Sequence, residues 1–117
     1  MEGREKKEIK IEEKNGVTVI SCSGPVDSDG FPDIKNSIES LLSGGSWKIV
    51  IDMTNINFIT SAGWGAFLGN VRKARDNSGD IRLAGMKKNV KKTFTLMELE
   101  EILKTYSTAD EAIESFN

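Results

Sequence analysis

Two adjacent hydroxyls, Thr60 and Ser61, open the glycine-rich stretch TSAGWGAFLGN in a chain whose other reactive groups are sparse. A serine at the head of a helix can leave its hydroxyl exposed. A phosphate added there would face the positive end of the helix dipole and amides that lack an intrahelical acceptor. It would also add about −1.5 to −2 charges, a change able to break a docked interface. Serine is equally a preferred helix N-cap, so Ser61 admits two readings, cap or phosphate acceptor, with Thr60 as the alternative acceptor. The parts of an enzyme are missing. The chain has no His, the commonest general base and metal ligand. Its single Cys, Cys22, falls in an apolar strand and reads as a buried thiol. Asp52 has no identifiable second carboxylate for acid–base work and reads as a strand-end group that shapes the loop after it. Neither a Walker loop nor a Cys-x-x-Cys motif occurs. No catalytic residue, metal site or cofactor is expected.

The helix that follows is unusual in composition. Gly63, Gly65 and Gly69 together cost roughly 2 to 3 kcal/mol of helix propensity relative to Ala, so something must compensate. With Ala62 and Ala66 they make a side-chain-poor face, opposite or oblique to the stripe of Trp64, Phe67, Leu68 and Val71. Such a face lets another backbone approach closely and is expected to be a docking surface. Trp64 is open to two roles, core residue or interface anchor. Asp27 is either a carboxylate near the hydroxyls or, like Asp29, an ordinary turn or N-cap residue before a helix.

Around this segment the chain punctuates itself. Ile9 and Ile11 alternate with charges, Asn15-Gly16 supplies a hairpin turn, and Val17, Val19 and Ile20 resume an extended pattern that Gly24-Pro25 should end. Pro32 suits the first turn of a helix with Ile34, Ile38, Leu41 and Leu42 on one face, stopped by Gly44-Gly45. Residues 47–53, WKIVIDM, read as a central strand covered on both faces. A loop is expected over 54–59 and a helix over about 62–76, whose last turn carries Arg72, Lys73 and Arg75. Ile81 and Leu83 mark a short strand. Val90, Phe94 and Met97 mark a helix with an outer face of Lys87, Lys88, Lys91 and Lys92. Residues 102–106 suggest an edge strand, and Thr108 with Glu111 forms a capping box ahead of Ala112, Ile113 and Phe116. The expected fold is α/β, a small sandwich of four to five mostly parallel strands in a mixed sheet with about four helices, joined by right-handed crossovers.

Length and composition agree with one domain over residues 1–117, of which 1–7 should fray. A formal charge of −2 offers no global attraction to nucleic acid or an anionic membrane. The lysine cluster at 87–92 lacks interleaved aromatics and reads as a solvated helix face. No apolar run approaches the roughly 20 residues of a membrane span, and the charged N-terminus is unlike a signal peptide. A cytoplasmic protein that meets a protein partner fits best.

The segment 49–70, IVIDMTNINFITSAGWGAFLGN, resembles the sulfate transporter and anti-sigma factor antagonist domain, STAS for short. Asp52, Phe58, Ser61, Gly63 and Gly65 match the family pattern of a hydrophobic strand, a short loop and a serine–glycine turn opening a helix. Gly69 matches a glycine often found one turn later. Ser23-Gly24 followed by Asp27, and the order of the later elements, extend the likeness over essentially the whole chain. Thr60 departs from the pattern, since many antagonists have Asp there.

The resemblance implies a phosphorylation-regulated partner switch in bacterial stress or sporulation signalling. Unphosphorylated, such an antagonist binds an anti-sigma factor that is itself a serine kinase, which frees the sigma factor. Phosphorylation at the position of Ser61 breaks the complex, and a serine phosphatase restores it. The surface implied for partner binding comprises Asp27, Thr60, Ser61, Ala62, Gly63, Trp64, Gly65 and Gly69, on a monomer or weak homodimer. Two other readings compete: a STAS module that is never phosphorylated and scaffolds a larger signalling assembly, and a small α/β enzyme or phosphoryl carrier.

Overall fold

The protein's architecture comes from a computed structural model that describes residues 8–27 and 31–117. The hairpin of β1 (Glu8–Lys14) and β2 (Val17–Val26) turns through Asn15 and Gly16, both at positive φ, as the Asn-Gly pair demands. Helix α1 (Phe31–Ser43) follows, then β3 (Lys48–Ile59), α2 (Ser61–Asp76), β4 (Asp80–Ala84), α3 (Lys88–Leu96), a single 3-10 turn (Leu99–Glu101), β5 (Thr105–Tyr106) and α4 (Ala109–Glu114). The strands form one sheet in the order β1-β2-β3-β4-β5. Among the described residues β1–β2 pairs antiparallel, and β2–β3, β3–β4 and β4–β5 pair parallel. The expected mixed, mostly parallel α/β sandwich is the fold observed. The fraying expected of residues 1–7 and the capping role open to Asp29 concern residues outside those described.

Alternation along the strands sorts the core into two layers. Ile20, Cys22, Ile49, Ile51, Ile81 and Leu83 face α1, α2 and α3, which bring Ile34, Ile38, Leu42, Phe67 and Phe94 to them. Val17, Val19, Val50 and Ala84 face the other way, onto Ala112 and Ile113 of α4. A six-residue helix covers that second layer because it is tied at both ends. At its start the amide of Glu111 donates to Thr108 Oγ1 at 3.1 Å, and Glu111 Oε1 accepts the amide of Ser107 at 3.2 Å. At its finish Arg82 donates to Ser115 and lies over the Phe116 ring, 4.0 Å from its centroid. Arg82 is held in turn by the buried carboxylate of Asp80, which also pairs with Arg75 at the end of α2.

Several boundaries differ from the sequence expectation. Strand β2 runs through Gly24-Pro25, and Gly24 at φ 86° absorbs the irregularity. Residues 54–59 are not a loop; β3 continues to Ile59 in parallel register with β2, pairing Pro25 with Phe58 and Val26 with Ile59. Two register shifts, between Ser21 and Ser23 and between Ser23 and Pro25, each set three residues of β3 against two of β2. Asp52 shapes the first of them by accepting from the Thr54 amide at 3.1 Å and its hydroxyl at 2.6 Å. Met97 ends α3 as an exposed residue rather than joining Val90 and Phe94 inside, and the proposed edge strand over 102–106 shrinks to Thr105–Tyr106.

Cys22 is buried, and desolvation followed by the nearby Asp52 carboxylate pushes its thiol up from 9.0 to about 12. The native thiol should resist iodoacetamide at pH 8.5 and react once the chain is unfolded; equal rates in both states would contradict its burial. A raised folded pKa stabilises fully below the unfolded value and loses that contribution as pH rises toward 12. The unfolding free energy of the wild type relative to Cys22→Ala should therefore fall above pH 9.0, measured by urea denaturation.

Candidate functional site

The site is built where β2 and β3 end together. The parallel pairing of Val26 with Ile59 is extended by one bond, Thr60 N–H donating to the Val26 carbonyl at 3.0 Å. Thr60 holds extended dihedrals, φ −85° and ψ 165°, and its Oγ1 accepts the Gly63 amide at 3.0 Å. The same hydroxyl lies 3.5 Å from the Val26 carbonyl, to which it donates. Thr60 is therefore the N-cap of α2, and Ser61, which the sequence left open as a cap, is the first helical residue. Ser61 and Ala62 are both exposed. With the Gly63 amide capped and the Trp64 amide bonded to the Thr60 carbonyl, the amides of Ser61 and Ala62 are the first-turn donors left for an outside acceptor. No acidic residue occupies that turn.

The glycines of α2 divide by role. A Cβ on Gly63 would meet the Val26 carbonyl oxygen at 2.8 Å and Ile59 Cγ1 at 2.9 Å. Its missing side chain thus lets the first turn of the helix pack onto the ends of β2 and β3. Gly69 is exposed with nothing within 4 Å of where a Cβ would stand. Gly65 is half-buried between them. The side-chain-poor face is narrower than expected: Ser61, Ala62, Gly65 and Gly69 compose it, continued by exposed Lys73, while Gly63 and Ala66 point inward.

Trp64 is not a surface anchor. It is fully buried, in edge contact with Phe67 at 5.8 Å between ring centroids and tilted against Phe94 at 5.4 Å. It packs α2 against α3 and leaves its indole N–H without a partner among the described residues. Asp27, half-buried, follows Val26 and so stands at the same strand ends as Thr60. Asp52 and Cys22 lie back along the strands, away from Ser61, and the lysines of α3 belong to another helix. Phe58, absent from the expected contact surface, is 52% exposed two residues before Thr60. The bulged strand turns it outward, and no alternation in the sequence signals that. Among the described residues no cluster of His, Cys, Asp and Glu could hold a metal, and no helix is long and apolar enough to cross a membrane.

An α/β domain with an exposed serine at the helix that leaves its central strand is the class defined so far, and the known proteins it matches carry that further. The STAS domain family matches residues 8–112, and the chain belongs to that family. Among curated relatives, the anti-sigma-B factor antagonist of Listeria monocytogenes is 24% identical over 81% of this chain and 84% of its own. That of Staphylococcus aureus is 18% identical over 72% and 78%. Among solved structures, an anti-sigma factor antagonist from Mycobacterium paratuberculosis superposes with a TM-score of 0.86 at 22% identity, covering 95% of this chain and 94% of the other. The antagonist SpoIIAA in its unphosphorylated form gives 0.73 at 22%, covering 92% and 96%. The phosphorylated form from Bacillus gives 0.72 at 22%, covering 94% and 100%.

Substitution by alanine should separate the two exposed-versus-packed glycines. Gly63→Ala should lower the unfolding free energy by about 1 to 3 kcal/mol through overpacking. Gly69→Ala should raise it by up to about 1 kcal/mol through helix propensity alone. Chemical denaturation measures both, and a stabilising Gly63→Ala would refute the close approach to Val26.

Proposed function

We propose that the chain is an anti-sigma factor antagonist and that Ser61 is its phosphorylation switch. In this reading the unphosphorylated protein binds an anti-sigma factor serine kinase in the cytoplasm, the kinase phosphorylates Ser61, the complex separates, and a serine phosphatase resets it. The protein acts as binder and substrate, not as catalyst.

The observation that carries the reading is the division of labour at the start of α2. Thr60 spends its hydroxyl on the cap, whereas Ser61 presents its own at the surface beside two helix amides. This supports Ser61 over Thr60 as acceptor. It also softens the departure from the family pattern, because Thr and Asp are both N-cap residues and the cap survives the exchange. A phosphate on Ser61 would be tolerated by the fold, since free amides and the helix dipole meet it and no acidic side chain in the first turn opposes it. In a docked complex the same charge would have to be desolvated, at a cost of several kcal/mol, on the order of 2–5. Exposed Ala62 and Gly69 with half-buried Gly65 offer the kinase a flat approach along the helix, with Asp27 and Phe58 at its strand end.

Incubation with its partner kinase and ATP should label the wild type and Thr60→Ser but not Ser61→Ala. Equal labelling of Ser61→Ala would sink the assignment. Ser61→Asp should weaken kinase binding by at least about tenfold, or 1.4 kcal/mol, in calorimetry, and unchanged affinity would rule out charge as the switch.

A further inference from the structure

Helix α3 carries its charges where its own stability would not place them. Its N-cap is Lys87, without a side-chain cap, and Lys88–Leu96 holds three lysines and no carboxylate. Lys87 and Lys88 stand at the positive end of the helix dipole, where an anion stabilises and a cation does not. Lys91 and Lys92 follow Lys88 by three and four residues, a spacing at which like charges repel. Lys87 is held by the Asn57 side chain. The ion pairs of the described residues, Lys35–Glu39, Arg75–Asp80 and Arg82–Asp80, relieve none of the other three. A local rule broken without a gain inside the fold is expected where a surface acts on something outside it.

The same lysines frame a hollow. Val90 and Phe94 are the buried side of α3; on the opposite side Lys88, Lys91, Lys92, Thr95 and Leu96, all exposed, line an open depression of about 440 Å³. Its walls are the lysine stems and Leu96, which at 74% is the most exposed of the large apolar side chains described. Lys91 also lines a neighbouring polar cavity of about 270 Å³ with Thr105, Tyr106 and Ser107. Glu98, Glu100 and Glu101, next along the chain, line neither. We propose that this face of α3 docks an acidic segment of a partner protein, one that carries an aliphatic side chain among its carboxylates. The carboxylates meet Lys88, Lys91 and Lys92, which relieves their repulsion and satisfies the dipole, and the aliphatic group seats against Leu96. A nucleic acid would call for stacking aromatics, which this face lacks. An anionic membrane would call for more apolar surface than Leu96 provides. The face uses no residue of α2, so it stands apart from the reading of Ser61.

The test is an NMR titration of the full chain with a synthetic peptide of glutamate and alanine around one leucine, about twelve residues or three helical turns long. Amide shifts should centre on α3 and on Thr105 to Ser107, with a dissociation constant between about 10 μM and 1 mM. A peptide with glutamine in place of glutamate should bind at least about tenfold more weakly. The triple variant Lys88→Glu, Lys91→Ala, Lys92→Ala should lose at least about tenfold in affinity. Its urea midpoint should nonetheless rise, because the conflict with the dipole and the repulsion are gone. Leu96→Ser should weaken binding as well. Shifts that avoid α3, equal binding of the glutamine peptide, or a triple variant that binds like the wild type would each overturn the proposal. So would tighter binding to phosphatidylcholine–phosphatidylserine vesicles or to duplex DNA than to the acidic peptide, which would assign the face to a lipid surface or a nucleic acid.

Discussion

The Val26 carbonyl is the point on which the upper end of the molecule depends. It accepts the Thr60 amide, lies within reach of the Thr60 hydroxyl, and faces the backbone of Gly63 closely enough to forbid a Cβ there. A parallel pair of strands and the start of a helix thus converge on one acceptor. Move β2 by one residue and the cap, the first turn of α2 and the exposure of Ser61 would all change together. That convergence requires β3 to keep pace with β2 to its last residue, and the two bulges achieve it by spending extra residues on β3. The twist they add is the reason a single strand can run for twelve residues and still deliver its end to the surface.

The same bulges explain what the sequence concealed. Hydrophobic periodicity revealed the regular elements: the hairpin around Asn15-Gly16, α1 behind Pro32, the doubly covered start of β3, and α4 behind its capping box. It failed where period two gave way to period three. In β3 the buried residues Met53, Ile56 and Ile59 are separated by exposed pairs, which neither a strand nor a helix template matches. Phe58 was hidden for that reason, and so was the true N-cap, because the helix boundary could be read one residue either way. Ser61 and its glycines were legible as a segment. Their division into packed and open positions was not, since a glycine carries no side chain whose polarity betrays its surroundings.

Trp64 illustrates a different limit. Its period placed it with Phe67, Leu68 and Val71, yet its size and position beside Ser61 also suited an interface. Burial against Phe67 and Phe94 settles the matter, and the cost is an indole N–H without a partner among the described residues. The large ring fills the space between α2 and α3, so the two helices are coupled by packing as well as by the sheet beneath them. Dispersion over such a ring offsets one buried, unpaired N–H at about 1 to 3 kcal/mol.

That coupling is reinforced from the strand side. The Asn57 carbonyl accepts Asn89 Nδ2 at 2.8 Å and its side chain accepts the Lys87 ammonium, so the start of α3 is pinned to β3 three residues before Thr60. Both helices therefore take their positions from the same bulged strand end. A charge added at Ser61 would act on a rigid framework rather than a mobile loop, and its effect would be confined to whatever docks against the surface.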